Sequence, residues 1–379
     1  MKKRLVPLFA FTLLGVLATS CGGKSYKNTN QDGEFDLKVA LEDGELGYCI
    51  LVGEDSNPEA EDRTKGCVDA MNEIAQLGKF TAKELERKTC IDTNGNTWND
   101  QTAKETVENW SKRFGARLDF IISNNDGMAI AAANSQGLTK NLPIVGFDAL
   151  SAACDMVKSG KLAGSVSQNG DDQALATVTV LKNLLKGEST VIDDTYGGKA
   201  KLNLTDLSKH IVQTSLSAVT AQNADSLKPG AYVKVDEDAA VKGKKLLIAY
   251  YSQNDNFISE TFMRALPHYA KAMGFEVTEV SVNSADDAEL LNQVKTKATE
   301  GNFDAFAFNI ITHANYEKYL EVSGNKPTVF FNRQPKTSDD KNVADLSKLA
   351  NVYFVGSGST GQGTAQGQVI KDWYAASTK

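Results

Sequence analysis

The chain has 379 residues, 41% of them hydrophobic, with 48 acidic against 41 basic side chains and a formal net charge of -7. This is enough apolar material for two ordinary domains with cores, and the scattered basic residues leave no footprint for nucleic acid. The three histidines, His210, His268 and His313, stand far apart in sequence, so His-dependent catalysis and His-rich metal sites have little to build on.

In chain order, Met1-Lys2-Lys3-Arg4 is a charged start, and Leu5 to Leu17 is an apolar run too short to span a bilayer. Leu17-Ala18-Thr19-Ser20-Cys21 then places small residues directly before a cysteine, as in a bacterial lipobox. The reading is a signal peptide over residues 1–20 and an acylated Cys21, followed by a flexible polar tether over 21–35. The expected location is the periplasm or cell envelope, with a lipid as the only contact with the membrane. The alternative is an ordinary signal peptide with an incidental cysteine. Cys49, Cys67, Cys90 and Cys154 show no CxxC spacing, which argues against zinc. Cys49 and Cys90 fall in strand-like runs and could be neighbours; the simpler reading is buried free thiols.

From residue 48 onward the chain repeats a pattern. Tyr48-Cys-Ile-Leu-Val-Gly reads as a strand running into a polar turn and a helix to about Gln76. Lys245-Leu-Leu-Ile-Ala-Tyr-Tyr does the same, with a helix to about Met273. Later strands match in pairs: 120–123 with 305–309, 142–148 with 326–332, and 162–168 with 352–358. Each unit then ends in a Gln/Ala-rich helix. Alternating strands and helices with continuous apolar strands predict an α/β fold of two doubly wound parallel-sheet lobes. Ligands in such sheets sit at the carboxyl ends of the strands. Those ends carry Asn57, Glu59, Arg63, Asn124, Asn125, Asp126 and Asp148 in one unit and Asp255, Asn256, Phe257 and Asn332 in the other.

The residues that carry a family resemblance are Tyr251-Ser-Gln-Asn-Asp-Asn-Phe257, Val329-Phe-Phe-Asn-Arg-Gln-Pro335, Asn57-Pro-Glu-Ala-Glu-Asp-Arg63, Trp98 with Trp110, Ser123-Asn-Asn-Asp-Gly-Met-Ala129, Val145-Gly-Phe-Asp-Ala-Leu150 and Lys158-Ser-Gly-Lys-Leu-Ala-Gly164. With these the chain resembles the periplasmic glucose/galactose-binding proteins of bacterial ABC transporters, which have the type I periplasmic-binding fold. In that family the unit like 245–373 precedes the unit like 48–186, so the order here looks circularly permuted. The resemblance implies a lobe carrying Trp98, built from 36–165, 208–225 and 358–379. It implies a lobe carrying Phe257, built from 166–207 and 244–357, and a permutation linker over 226–243. Chain crossings are expected near Val166-Ser167, Thr205 to Lys209 and Gly356 to Gly358, with the linker as a fourth.

The resemblance implies that Trp98 and Phe257 stack on a sugar, and that Asp255, Asn332, Glu59, Arg63, Asn125, Asp148, Asn57 and Gln168 serve its hydroxyls, with Tyr251 at the rim. Asp255 would meet the 4-hydroxyl. Taken singly, each aromatic could be core and each Asp or Asn a helix cap or turn residue. Asn57, Glu59 and Gln168 replace the family's His, Asp and Asn, and Arg333 replaces its usual Lys. The family's calcium loop is not kept at 39–47, where Val39, Leu41 and Gly47 occupy ligand positions. Asn28, Asn30, Asp32, Glu34 and Asp36, around Gly33, offer a displaced calcium loop as an expectation; the alternative is plain tether, and no cofactor is otherwise required.

The function implied is capture of D-glucose or D-galactose in an interlobe cleft, by a monomer, for delivery to an ABC transporter permease. Alternatives are a sugar sensor for chemotaxis or signalling, or a glycoside-processing enzyme drawing on Asp126, Asp148, Asp255 and Glu59. Gly356-Ser-Gly-Ser-Thr-Gly361 matches a dinucleotide fingerprint but lacks the following strand with its acidic residue. Gly22-Gly-Lys-Ser25 lacks the first glycine of a phosphate loop.

Overall fold

The computed structural model describes residues 25–251, 256–283, 286–339, 342–358 and 360–379. Cys21 and Asp255 lie outside them. A short helix α1 (Leu37–Ala40) leads into β1 (Glu45–Val52), which is buried along all but its ends. Helix α2 (Pro58–Gly78) follows, with proline at its first position and Asn57 as N-cap. Next come β2 (Thr81–Thr89), α3 (Asp100–Phe114), β3 (Phe120–Ser123), α4 (Asp126–Ala133), β4 (Ile144–Val145), α5 (Ser151–Lys158) and β5 (Ser165–Ser167). The first sheet is parallel, in the order β2-β1-β3-β4.

The chain then enters the second lobe through α6 (Gly170–Lys186), β6 (Leu202–Asn203) and β7 (Ile211–Thr214). It returns briefly as β8 (Ser217–Val219) and α7 (Ala224–Leu227). β9 (Lys245–Tyr251), α8 (Asn256–Glu260), α9 (Phe262–Met273), β10 (Glu276–Val282), α10 (Asp287–Glu300), β11 (Ala305–Phe308), α11 (Tyr316–Ser323), β12 (Thr328–Phe331) and β13 (Val352–Gly356) complete that lobe. Its sheet runs β10-β9-β11-β12-β13-β7-β6, parallel except for the last pair. Finally α12 (Gln362–Ser377) packs back on α2 in the first lobe. The α/β class and parallel sheets agree with the sequence reading.

Two boundaries differ from it. Residues 211–214 belong to the lobe carrying Phe257, because β7 pairs with β13. The polar stretch 205–209, expected as a crossing, is the turn between β6 and β7, and the crossing falls at Ser215-Leu216. The first crossing follows Ser167, since β5 pairs with β8 in the first lobe. The linker crosses near Pro229. Lys228 pairs with Asp155 of the first lobe at 2.6 Å, while the Gly230 N–H donates to Asp171 of the second at 2.6 Å. Beyond it Tyr232 stacks on His268 with ring centroids 4.4 Å apart, so the linker is laid down on the second lobe.

Four of the five expected calcium residues make other side-chain contacts. Asn28 donates to the Leu118 carbonyl at 2.8 Å, and Asn30 accepts the N–H groups of Asp32 (2.9 Å) and Glu34 (3.0 Å). Glu34 pairs with Lys140 at 2.6 Å, and Asp36 caps α1. Among the described residues no group of three or more His, Cys, Asp or Glu is placed to hold a metal. Cys49, Cys67, Cys90 and Cys154 are buried free thiols, and burial raises the pKa of each.

Helices α2 and α12 meet backbone to backbone. A β-carbon on Gly363 would overlap the Asp62 carbonyl, and one on Gly66 would overlap the Gly363 backbone. Gly363→Ala is therefore expected to lower stability by about 1–3 kcal/mol, as overpacking does, read as a shift in the urea midpoint. A second prediction concerns Asp119, which accepts the Gly47 N–H at 2.8 Å while its other oxygen is buried without a partner. Burial pushes its carboxyl up to about 8. The native state thus holds this proton more tightly than the unfolded chain. The associated stability is complete below about pH 4 and is lost as pH rises through about 8. Calorimetry should show Asp119→Asn near wild type at pH 4 and with the higher Tm at pH 8; parallel Tm profiles would contradict this.

Candidate functional site

The carboxyl ends of both sheets face each other across a cleft. One pocket there is lined by Asn57, Glu59, Arg63, Trp98, Asn125, Asp148 and Gln168 from the first lobe and its crossing, and by Phe257, Asn332 and Arg333 from the second. Nine residues singled out from sequence are thus brought together, and Arg333 joins them. Tyr251 is not in the lining; it lies behind, with its ring 4.7 Å from the Arg333 guanidinium carbon. Asp126 is not in the lining either. It is buried, accepting the Ser165 hydroxyl at 2.7 Å and the Leu150 N–H at 2.9 Å. Burial raises its carboxyl to about 6.

Arg63 is the centre of the polar wall. It sits on α2 just inside the N-terminus and is only 4% exposed. Its Nε donates to Gln362 Oε1 at 2.6 Å and one terminal nitrogen to the Asn124 carbonyl at 2.7 Å. Its guanidinium carbon lies 3.8 Å from the Phe147 ring centroid, a cation–π contact. Asp148 is 3.9 Å away. A chain of bonds closes the circuit. Gln362 donates to Ser357 at 3.0 Å, Ser357 to the Gln168 side-chain carbonyl at 2.7 Å, and Gln168 to Asp148 at 2.6 Å. The buried charge is therefore paired and hydrogen-bonded, which is the condition for tolerating it.

The two aromatics come from opposite lobes. Trp98 stands in the left-handed region at φ 56, with its N–H on the Gly53 carbonyl at 3.0 Å. Its indole N–H donates to Glu54 at 3.2 Å. Gly53 lies against the ring, and a β-carbon there would overlap it. Phe257 lies in the first turn of α8 in the second lobe and is buried edge-on to Phe262.

Asn57 and Asn125 cap helices, accepting the N–H of Ala60 (3.1 Å) and Met128 (3.0 Å). The amide of Asn57 is turned to Glu54 at 3.1 Å. Asn332, at φ 63, accepts the Asn309 amide at 3.2 Å. Glu54, Asn309, Ser357 and Gln362 were not singled out from sequence. Glu54 stands two residues past the end of β1 and Asn309 directly follows β11, a signal that could have found them; Gln362 opens the last helix and carries no such signal.

The lobes are closed. Besides Glu54 near Arg333, Asn256 donates to Asp100 at 3.1 Å and the Ser151 N–H to Glu260 at 3.0 Å, each pair joining the two lobes. The void left in the pocket is about 40 Å³, on the order of a few waters. A larger cavity of about 460 Å³ lies by the crossings, between Asp171, Lys199, Thr261 and Tyr269. It offers one aromatic ring, and the linker's Val233 N–H donates to that ring's hydroxyl at 3.3 Å. The paired rings and braced guanidinium place the candidate site in the smaller cleft.

Residues 17–189 match a family model described as a periplasmic binding protein domain. The D-galactose/methyl-galactoside binding periplasmic protein MglB of Haemophilus influenzae is 33% identical over 180 residues, which is 44% of this chain and 51% of that protein. A xylitol-binding protein of Mycolicibacterium smegmatis is 32% identical over 141 residues, 35% of this chain and 40% of that one. The matched sequence thus spans about half or less of either relative. The solved ABC transporter solute binding protein of Agrobacterium vitis superposes with a TM-score of 0.52 at 12% identity, covering 87% of this chain and 90% of that one. The fold is that of the type I periplasmic binding proteins.

Gly53→Ala should push the indole outward with the fold intact. The expected sign is stronger iodide quenching of the Trp98 emission, isolated by subtracting the spectrum of Trp98→Phe. Unchanged quenching would mean that the ring does not rest on Gly53.

Proposed function

We propose that this protein captures a monosaccharide, D-glucose or D-galactose, between its lobes, releases it unchanged and hands it to an ABC transporter. The observation that carries the reading is the opposition of Trp98 and Phe257 across one pocket whose other walls are planar hydrogen-bonding groups. A pyranose has two apolar faces and a belt of hydroxyls. Aromatic stacking contributes roughly 0.5–1.5 kcal/mol per ring beyond area burial. Hydrogen bonds to charged groups contribute about 1.5–3 kcal/mol each. Less the ordering costs, a handful reaches the roughly -8 kcal/mol of a micromolar complex. Relatives whose names record D-galactose and xylitol binding support a polyhydroxylated ligand.

The void is small in the closed form, so the ligand enters as the lobes part about the crossings. The burial of Asp126 away from the pocket, bonded to Ser165 and Leu150, speaks against an acid–base role for it in glycoside cleavage.

The envelope placement belongs to the same proposal. Cys21 would carry the lipid. No helix among the described residues is long and apolar enough to cross a membrane. The circular permutation is proposed too. It rests on the exchanged order of the sequence motifs, and sequence likeness that stops at half of a relative is in keeping with it.

Titration calorimetry of wild type against a panel of aldohexoses, pentoses and polyols tests the ligand class. Micromolar or tighter binding of D-glucose or D-galactose is expected, with Trp98→Ala and Phe257→Ala each weakening it about tenfold or more. Absence of heat with every aldohexose, or turnover of a glucoside, overturns the proposal.

A further inference from the structure

We infer that Glu54 is a positioning residue that couples the setting of the stacking indole to closure of the lobes, an inference that rests on the sugar-binding reading. The acid stands two residues beyond the end of β1, at the lip of the cleft. A single oxygen, Oε2, accepts the Trp98 indole N–H at 3.2 Å and the Asn57 amide at 3.1 Å, both in its own lobe. The same oxygen lies 3.7 Å from a terminal nitrogen of Arg333, which belongs to the other lobe. The Arg333 side chain is 10% exposed and that of Glu54 32%. Arg333 is held in place on its own side by the Ile311 carbonyl at 3.1 Å and by the Tyr251 ring beneath it. The cation is thus presented at a fixed position, and the carboxylate meets it only when the lobes are together.

Among the described residues two further pairings cross the lip, Asn256 with Asp100 and Ser151 with Glu260, and neither of these pairings includes Trp98 or Asn57. Glu54 alone among these contacts ties the cross-lobe charge to the indole that would face the sugar. Partly exposed pairs are modest in energy, and pairs broken on dissociation act chiefly on the off-rate. Glu54 should therefore lengthen the residence of bound sugar more than it speeds capture.

The test uses the full chain in three forms: Glu54→Gln, Arg333→Met and the double variant. Stopped-flow Trp fluorescence with D-glucose and D-galactose gives the rates. Spin labels at Leu77→Cys and Lys295→Cys, exposed sites in the two lobes, give the interlobe distance. Cys21→Ser removes the cysteine of the tether, and the other native thiols are buried. The expected result is an off-rate raised about 3–10-fold by Glu54→Gln, an on-rate nearly unchanged, and a distance distribution shifted to longer values. In the Arg333→Met background Glu54→Gln should add little. Multiplicative effects of the two substitutions, or an unchanged off-rate and distance in Glu54→Gln, overturn the inference. If wild type takes up no sugar, the reading beneath it falls. The distance measurement alone then decides whether Glu54 holds the lobes together.

Discussion

Burying one guanidinium sets the terms for the rest of the cleft. An arginine that is 4% exposed must find partners for its donors and a counter-charge for its cation, or the cost is several kcal/mol. The molecule meets this with groups from three separate stretches of chain: the Asn124 carbonyl after β3, Phe147 and Asp148 after β4, and Gln362 at the start of α12. Gln362 and Asp148 are then joined through Ser357 and Gln168, both in crossing segments. The polar wall and the hinge are one network. A wall built this way would be aimed before the proposed ligand arrives, and preorganisation is what converts contacts into affinity.

The same cleft concentrates backbone strain. Trp98, Asp148, Ala149, Asn169 and Asn332 all adopt positive φ. Asn visits this region readily, but Trp and Ala do so at a cost of order 1–3 kcal/mol each. Such conformations persist only where surroundings over-determine them. Trp98 is held by its N–H on Gly53, its ring against Gly53 and its indole N–H on Glu54. Asp148 is held by its N–H on the Val166 carbonyl at 2.7 Å and by Gln168. Strain here directs side chains into the pocket that an unstrained turn would send elsewhere.

Much of this was legible in the sequence because both lobes speak one local grammar. Apolar strands such as 48–52 and 245–251 are each followed by a polar stretch and then a helix, and such junctions lie at the carboxyl ends where ligands sit. Pattern reading therefore picked out seven of the pocket's residues, while Trp98 and Gln168 came only from the family resemblance. What it missed lies where local pattern and tertiary pairing part. Residues 205–209 are polar enough to be a crossing. They turn instead within the second lobe because Leu202–Asn203 adds a short antiparallel strand to β7. The supporting residues were also invisible. Gln362 matters only because α12 lies against α2, and that contact depends on Gly66 and Gly363 rather than on any periodicity. The asparagines show the opposite confusion: Asn57 and Asn125 line the pocket and cap helices at once.

Chain connectivity has a mechanical consequence of its own. Four segments join the lobes: those after Ser167, at Ser215-Leu216, near Pro229 and between β13 and α12. Three of them, with Ser167, Ser215 and Pro229, border the cavity by the crossings, where Asp171 accepts the Gly230 N–H. The fourth carries Ser357, which bonds Gln168. A closing motion that bends these segments together moves the Gln168–Asp148 end of the polar wall as part of the hinge. The aromatic end at Trp98 is instead fixed to β1 through Gly53. The two ends of the site are thus referenced to different bodies. The wall rides on the crossings, the indole rides on the first sheet, and under the proposed function the lobes must be closed for both to address one ligand.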